Sequence, residues 1–178
     1  MTEYRRAYAP GATWFFTVNL AQRQHSHLLV DHFDALRAAF RVVRVRHPYR
    51  TDALVVLPNH LHCLWTLPPG DSDFSTRWGL IKAGFSRAID KGERRSQSRL
   101  ARGERGVWQR RFWEHLIRDQ EDFNRHADYI HGNPVKHAWV RRVIDWPYST
   151  FHDYVKRGIY PADWAGAVEF GAEIKAGE

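Results

Sequence analysis

Ala53-Leu54-Val55-Val56-Leu57-Pro58-Asn59-His60-Leu61-His62-Cys63-Leu64-Trp65 is the stretch on which the fold turns. An apolar, β-branched run breaks at Pro-Asn, and a second run of similar length follows. This predicts an antiparallel hairpin of two strands, Thr51 to Leu57 and His60 to Leu67. Side chains alternate along a strand, so His60 and His62 point to one face and Leu61 and Cys63 to the other.

Outward from the hairpin, the pattern is regular. Upstream, Phe33, Leu36, Ala39, Phe40 and Val43 recur at helical spacing, predicting a helix from Leu28 to about His47 that Pro48 ends. Before it, Thr13-Trp14-Phe15-Phe16-Thr17-Val18-Asn19-Leu20 is aromatic and β-branched and reads as a strand. Downstream, Trp78, Ile81, Phe85 and Ile89 mark a helix over Asp73 to Ile89, with Asp71 or Ser72 as its cap. Lys91 to Arg105 is poor in apolar residues and reads as a loop. Val107 to Ile117 alternates as a fourth strand, and Gln120 to Gly132 reads as a third helix stopped by Asn133-Pro134. The order strand, helix, strand, strand, helix, strand is the split βαβ pattern. It predicts an α+β, ferredoxin-like antiparallel sheet with helices on one face and the other face open. One domain is expected over 1–178, with a basic arm at 1–12 and a C-terminal extension at 136–178.

Composition narrows the function classes. The chain of 178 residues is 43% hydrophobic and 26% charged, which is globular composition. No apolar run approaches the length of a membrane span, and the first residues lack a signal-peptide core, so a cytoplasmic protein is expected. The single cysteine, Cys63, excludes an internal disulfide and a cysteine-rich zinc site. The net charge is +7, and it is concentrated. Between Lys91 and Arg111 lie Lys91, Arg94, Arg95, Arg99, Arg102, Arg105, Arg110 and Arg111, opposed only by Glu93 and Glu104. Such a field suits a polyanion, although a charge run of this kind can also be only solvating.

Two segments carry chemistry. Same-face His60 and His62 can share one divalent cation, or can form a polar sheet edge. His115 and His137 show no partner at coordinating spacing. In Asp128-Tyr129-Ile130-His131-Gly132-Asn133-Pro134-Val135-Lys136-His137, Tyr129 and Asn133 are four apart and share a helix face with His126. A phenol with an ordinary pKa near 10 needs help to attack phosphorus. A tyrosine here also fits simple packing. No Gly-rich nucleotide loop of the GxxxxGK[ST] type is present.

A strand His-x-His followed by a helix Tyr-x-x-x-Asn resembles the HUH single-tyrosine transposases, and within them the REP-associated tyrosine transposases. The likeness also runs through Tyr4-Arg5-Arg6, Gly11 to Val18, Pro58 to His62, Trp108 to His115, Tyr129 to His137 and Trp146 to Phe151, in order over about residues 4–155. It implies that Tyr129 is the nucleophile and that His60, His62 and Asn133 hold Mg²⁺ or Mn²⁺. It implies a substrate of single-stranded DNA with short palindromic hairpins, cut through a 5′-phosphotyrosine intermediate by an enzyme favoured as a monomer and working at the bacterial nucleoid. Hairpin contacts are expected from Tyr4, Arg5, Arg6, Arg94, Arg95, Arg99, Arg102, Arg105, Arg110, Arg111 and Lys136, with His126 and His131 near enough in sequence to assist. Gly132 departs from the bulkier residue of many relatives and predicts a frayed helix end around Asn133. Two other readings fit the residues: a hairpin-binding protein without catalysis, and a metallohydrolase acting on a small phosphoester.

Overall fold

The computed structural model describes residues 8–164. Four strands, β1 (Thr13–Asn19), β2 (Arg50–Val56), β3 (His60–Thr66) and β4 (Trp113–Leu116), form one sheet in the order β2-β3-β1-β4. Every neighbouring pair is antiparallel. This is the strand order expected of the split βαβ pattern. The helices are α1 (Leu28–Asp31), α2 (Phe33–Arg46), α3 (Phe74–Ala88), α4 (Gln97–Ala101), α5 (Gln120–Lys136) and α6 (Phe151–Lys156), with a 3₁₀ turn at Val143–Asp145.

The central strand β1 has both faces covered, and the alternation of its residues sorts the core in two. Trp14, Phe16 and Val18 join Leu61, Cys63 and Trp65 of β3 under α2 and α3. Gly84 of α3 lies against Ala39 of α2, where an added Cβ would sit 3.3 Å from the Ala39 Cβ, so two small residues set how closely these helices approach. On the other face, Phe15, Ala53, Val55 and Leu64 pack on Ala127, Tyr129 and Ile130 of α5. The expectation of helices on one face therefore holds for α2 and α3 only. The second face is covered by α5 because Ala127, Tyr129 and Ile130 give that helix an apolar stripe of its own.

The N-terminus of α3 is capped by Asp73, whose carboxylate accepts from Thr76 N at 2.9 Å. Asp71, expected as the cap, instead accepts from the buried Arg77, which also donates to the Pro48 carbonyl at 2.7 Å. The segment expected as a loop contains α4. The expected fourth strand is cut to four residues, with Trp108 making only an isolated bridge to Leu20.

Helix α5 runs past its expected stop and includes Gly132, Asn133 and Pro134. Proline removes one donor to the preceding turn. The end is held nonetheless by His137 N to Asn133 O at 3.0 Å and Trp139 N to Pro134 O at 2.9 Å, with Ala138 in the left-handed region at φ 57°. Beyond it, the chain covers the β2 edge. Trp146 Nε1 donates to Val56 O at 3.0 Å, Leu54 N to Thr150 Oγ1 at 2.9 Å, and Tyr154 Oη to Asp52 O at 2.9 Å.

Candidate active site

The β1–β3 register puts Asn19 opposite His60 and Thr17 opposite His62. All four side chains face α5 and are buried. The two imidazole rings lie 4.9 Å apart at 82°. The tautomer of His60 follows from its surroundings. Asn59 Nδ2 donates to the Arg23 carbonyl at 2.8 Å, which turns Asn59 Oδ1 toward His60 Nδ1 at 2.6 Å. A carboxamide oxygen only accepts, so Nδ1 carries the proton and Nε2 keeps its lone pair. His62 Nδ1 lies 2.8 Å from Thr17 Oγ1. Imidazoles held through one nitrogen are oriented to coordinate through the other.

Across from them, α5 presents Tyr129, Asn133 and His137 at four-residue intervals. The Tyr129 ring is 5.2 Å from His62, and the His137 ring is 5.3 Å from His60. Asn133 lies between these two contacts on the same helix face and is fully buried. Because α5 stays helical through Pro134, Asn133 holds a regular position one turn after Tyr129, and the expected fraying does not occur. His137 is a residue the sequence reading passed over. Its signal was the i, i+4, i+8 spacing from Tyr129 through Asn133.

Tyr129 is 4% exposed and touches Phe15 edge-on at 6.0 Å. Lys136 Nζ donates to its Oη at 3.1 Å and sits 4.7 Å from the ring centroid. Lys136 is exposed, so it lies between the phenol and solvent. The donor set fits a divalent cation: two imidazoles and a carboxamide, with the Nε2 atoms and the Asn133 Oδ1 all buried. Nitrogen donors are softer than Mg²⁺ prefers.

His131 points away from this centre. Its Nε2 lies 3.0 Å from Thr150 Oγ1, and burial pushes its pKa down to about 3. His126 is on the site's face of α5 but stacks with His115 at 4.6 Å, with Phe15 between it and His62. Burial lowers its pKa as well.

The basic segment divides into two groups. Arg99 donates to the carbonyls of Arg105 and Trp108 at 2.9 and 2.8 Å. Arg105 pairs with Glu93 and donates to the Asp90 carbonyl at 2.9 Å, and Arg110 pairs with Glu104 at 2.8 Å. The Arg105 guanidinium holds the Glu93 carboxyl down to about 2. These three arginines build the segment. Arg94, Arg95, Arg102 and Arg111 are exposed, and Arg94 and Arg95 line a cleft of about 1010 Å³ shared with Leu20 to Leu28. Tyr4, Arg5 and Arg6 lie outside the described residues.

No family model matches the chain. The REP-associated tyrosine transposase of Escherichia coli K12 is 51% identical over 178 residues, which covers 100% of this chain and 98% of that one. A Haemophilus influenzae Rd protein given the same family name in provisional form is 44% identical over 167 residues, covering 93% and 94%. A solved structure of the REP-associated tyrosine transposase bound to a REP hairpin matches with a TM-score of 0.84 at 50% identity, covering 100% and 98%. Full-length similarity at this level, on the same fold, assigns the chain: it belongs to the REP-associated tyrosine transposase family and is a transposase.

Proposed function

We propose that this transposase cleaves and rejoins single-stranded DNA at REP-type hairpins through a 5′-phosphotyrosine intermediate on Tyr129. The observation that carries the reading is the Tyr129 ring set 5.2 Å from His62, with its Oη hydrogen-bonded to Lys136. The hairpin carried by the related solved structure supports the substrate class.

Tyr129 Oη attacks the scissile phosphorus. The bond from phosphorus to the upstream 3′-oxygen breaks, the phenol gives up its proton to solvent, and the departing oxygen takes one up from solvent to leave as a 3′-hydroxyl, so no net proton is gained or lost. The downstream 5′-phosphate stays on Tyr129, so one phosphodiester is exchanged for another and a second 3′-hydroxyl can reverse the step without ATP. His60, His62 and Asn133 would hold Mg²⁺ or Mn²⁺, which when bound would supply charge stabilisation to the reacting phosphate. Lys136 orients the phenol and, when DNA enters, moves its ammonium to the phosphate, uncovering the buried Oη. Arg94, Arg95, Arg102, Arg111 and the Tyr4-Arg5-Arg6 arm track the hairpin backbone.

We take the enzyme to act as a monomer. No described helix is long and apolar enough to cross a membrane. We place the enzyme in the cytoplasm, with the bacterial chromosome. The test is labelled hairpin DNA incubated with Mn²⁺. The wild type yields cleaved strand and a protein–DNA adduct, and Tyr129→Phe yields neither. Cleavage by Tyr129→Phe at the wild-type rate overturns the mechanism.

A further inference from the structure

A second cluster of metal-ligating side chains lies on the far side of Phe15 from the His60–His62 pair. His115 is on β4, opposite Phe15 in the register, and Asp122 and His126 are one turn apart in the first half of α5. A ring nitrogen of each histidine and a carboxylate oxygen of Asp122 lie within 4.8 Å of one another. His115 Nε2 is 2.8 Å from Asp122 Oδ2, and His126 Nδ1 is 2.8 Å from the Asp122 main-chain carbonyl, to which it donates, and 3.1 Å from Asp122 Oδ1, so Nε2 is the ring nitrogen of His126 left for a cation. The rings of His115 and His126 stack at 17°. Asp122 and His126 side chains are 5% and 6% exposed, whereas His115 is 23% exposed and gives the cluster an edge to solvent.

The carboxylate is prepared for a cation. Its oxygens already accept from His115 Nε2 at 2.8 Å and from Arg118 N at 3.1 Å. The nearest competing cation, Arg125, touches Asp122 only at 3.4 Å and is 60% exposed, so it can swing into solvent. Two imidazoles and one carboxylate form an N₂O donor set for a borderline ion, with solvent completing the shell.

We propose that His115, Asp122 and His126 form a second divalent-cation site, suited to Zn²⁺, that fastens β4 to the start of α5. The cation takes the place of the proton between His115 Nε2 and Asp122 Oδ2. That proton moves to His115 Nδ1. The site acts on Tyr129 by position. Phe15 touches His126 at 4.7 Å on one side, and His62 and Tyr129 at 5.6 and 6.0 Å on the other, so fixing the first turns of α5 against β4 fixes the helix that carries the tyrosine. The site does not depend on the DNA chemistry proposed above.

The experiment uses the full chain in the His60→Ala/His62→Ala background, which removes the first pair of imidazoles. Zn²⁺ bound after dialysis is counted by elemental analysis, affinity is measured by competition with a chelating dye, and the thermal midpoint is read with and without Zn²⁺. One retained equivalent and a Zn²⁺-dependent rise in midpoint are expected. Adding His115→Gln, at the most exposed of the three positions, weakens binding about 10-fold or more and removes the rise. Asp122→Asn does the same, and His115→Gln serves as the readable variant if loss of the buried carboxylate unfolds the chain. No retained equivalent in the background variant overturns the proposal, as does an equivalent that His115→Gln leaves at full affinity.

Discussion

Lys136 Nζ donates a hydrogen bond to Tyr129 Oη at 3.1 Å while resting 4.7 Å from the centre of the same ring. The two residues are seven apart, two turns along α5, so the helix itself sets the contact. One ammonium thus fixes both the direction of the phenol and its cover from solvent. Lys136→Met keeps the stem and removes the charge. Single-turnover adduct formation on hairpin DNA is expected to slow about 10²-fold, within the range for a lost proton or charge partner at a reacting oxygen. The thermal midpoint should hardly change, because Lys136 is exposed. An unchanged adduct rate removes Lys136 from the site.

Thr17 holds His62 from β1 through its Nδ1. Thr17→Val keeps the shape and deletes the hydroxyl. Mn²⁺ affinity, measured by calorimetry in a His115→Gln background, should fall about 10- to 100-fold, as is typical when the partner behind a ligand is lost. Equal affinity in the two proteins would show that His62 is not a ligand oriented by Thr17.

The basic segment predicts opposite effects for neighbouring arginines. Arg94→Ala/Arg95→Ala removes two exposed charges, so the slope of log binding constant against log salt should flatten by about 1.4 on single-stranded DNA, with stability unchanged. Arg105→Ala instead loosens the segment that Glu93 and the Asp90 carbonyl hold. Its mark is proteolytic cutting between residues 91 and 106. Glu93 has its folded pKa lowered to about 2, so the stability from this pair is full above the ordinary carboxylate value near 4.5 and is lost as pH falls toward 2. Wild-type cutting should rise over that window, while Arg105→Ala is already cut at neutral pH.

His131 gives a second pH mark. Its folded pKa is lowered to about 3 by burial, below the ordinary value of 6.5. The unfolded chain takes up this proton first. The stability from neutral His131 is therefore present above pH 6.5 and declines as pH falls toward 3. The thermal midpoint of the wild type should fall through this window, and His131→Gln should flatten the fall. Equal slopes would move the acid sensitivity to another group.

Much of this site was legible in the chain, for reasons that differ by residue. The alternation of a strand is local, so His60 and His62 could be placed on one face from sequence. The strand order followed from the succession of elements. Asn133 could not be placed firmly, because Pro134 argues locally for a helix stop, and what carries α5 onward is the cap built by Ala138 and Trp139. His137 meets His60 only once strand and helix are packed, and His115 meets Asp122 and His126 only at the β4–α5 corner. Charge counting found the basic segment but not its division, since Arg99, Arg105 and Arg110 turn onto carbonyls and carboxylates while Arg94 and Arg95 do not.

The central claim is that Tyr129 bonds to phosphorus. The direct measurement is mass spectrometry of the adduct formed with hairpin DNA and Mn²⁺, after digestion by nuclease and protease. A nucleotide 5′-phosphate on the peptide carrying Tyr129, absent from Tyr129→Phe, is the predicted result. The same mass shift on another residue, or cleavage with no adduct at any time point, would contradict it.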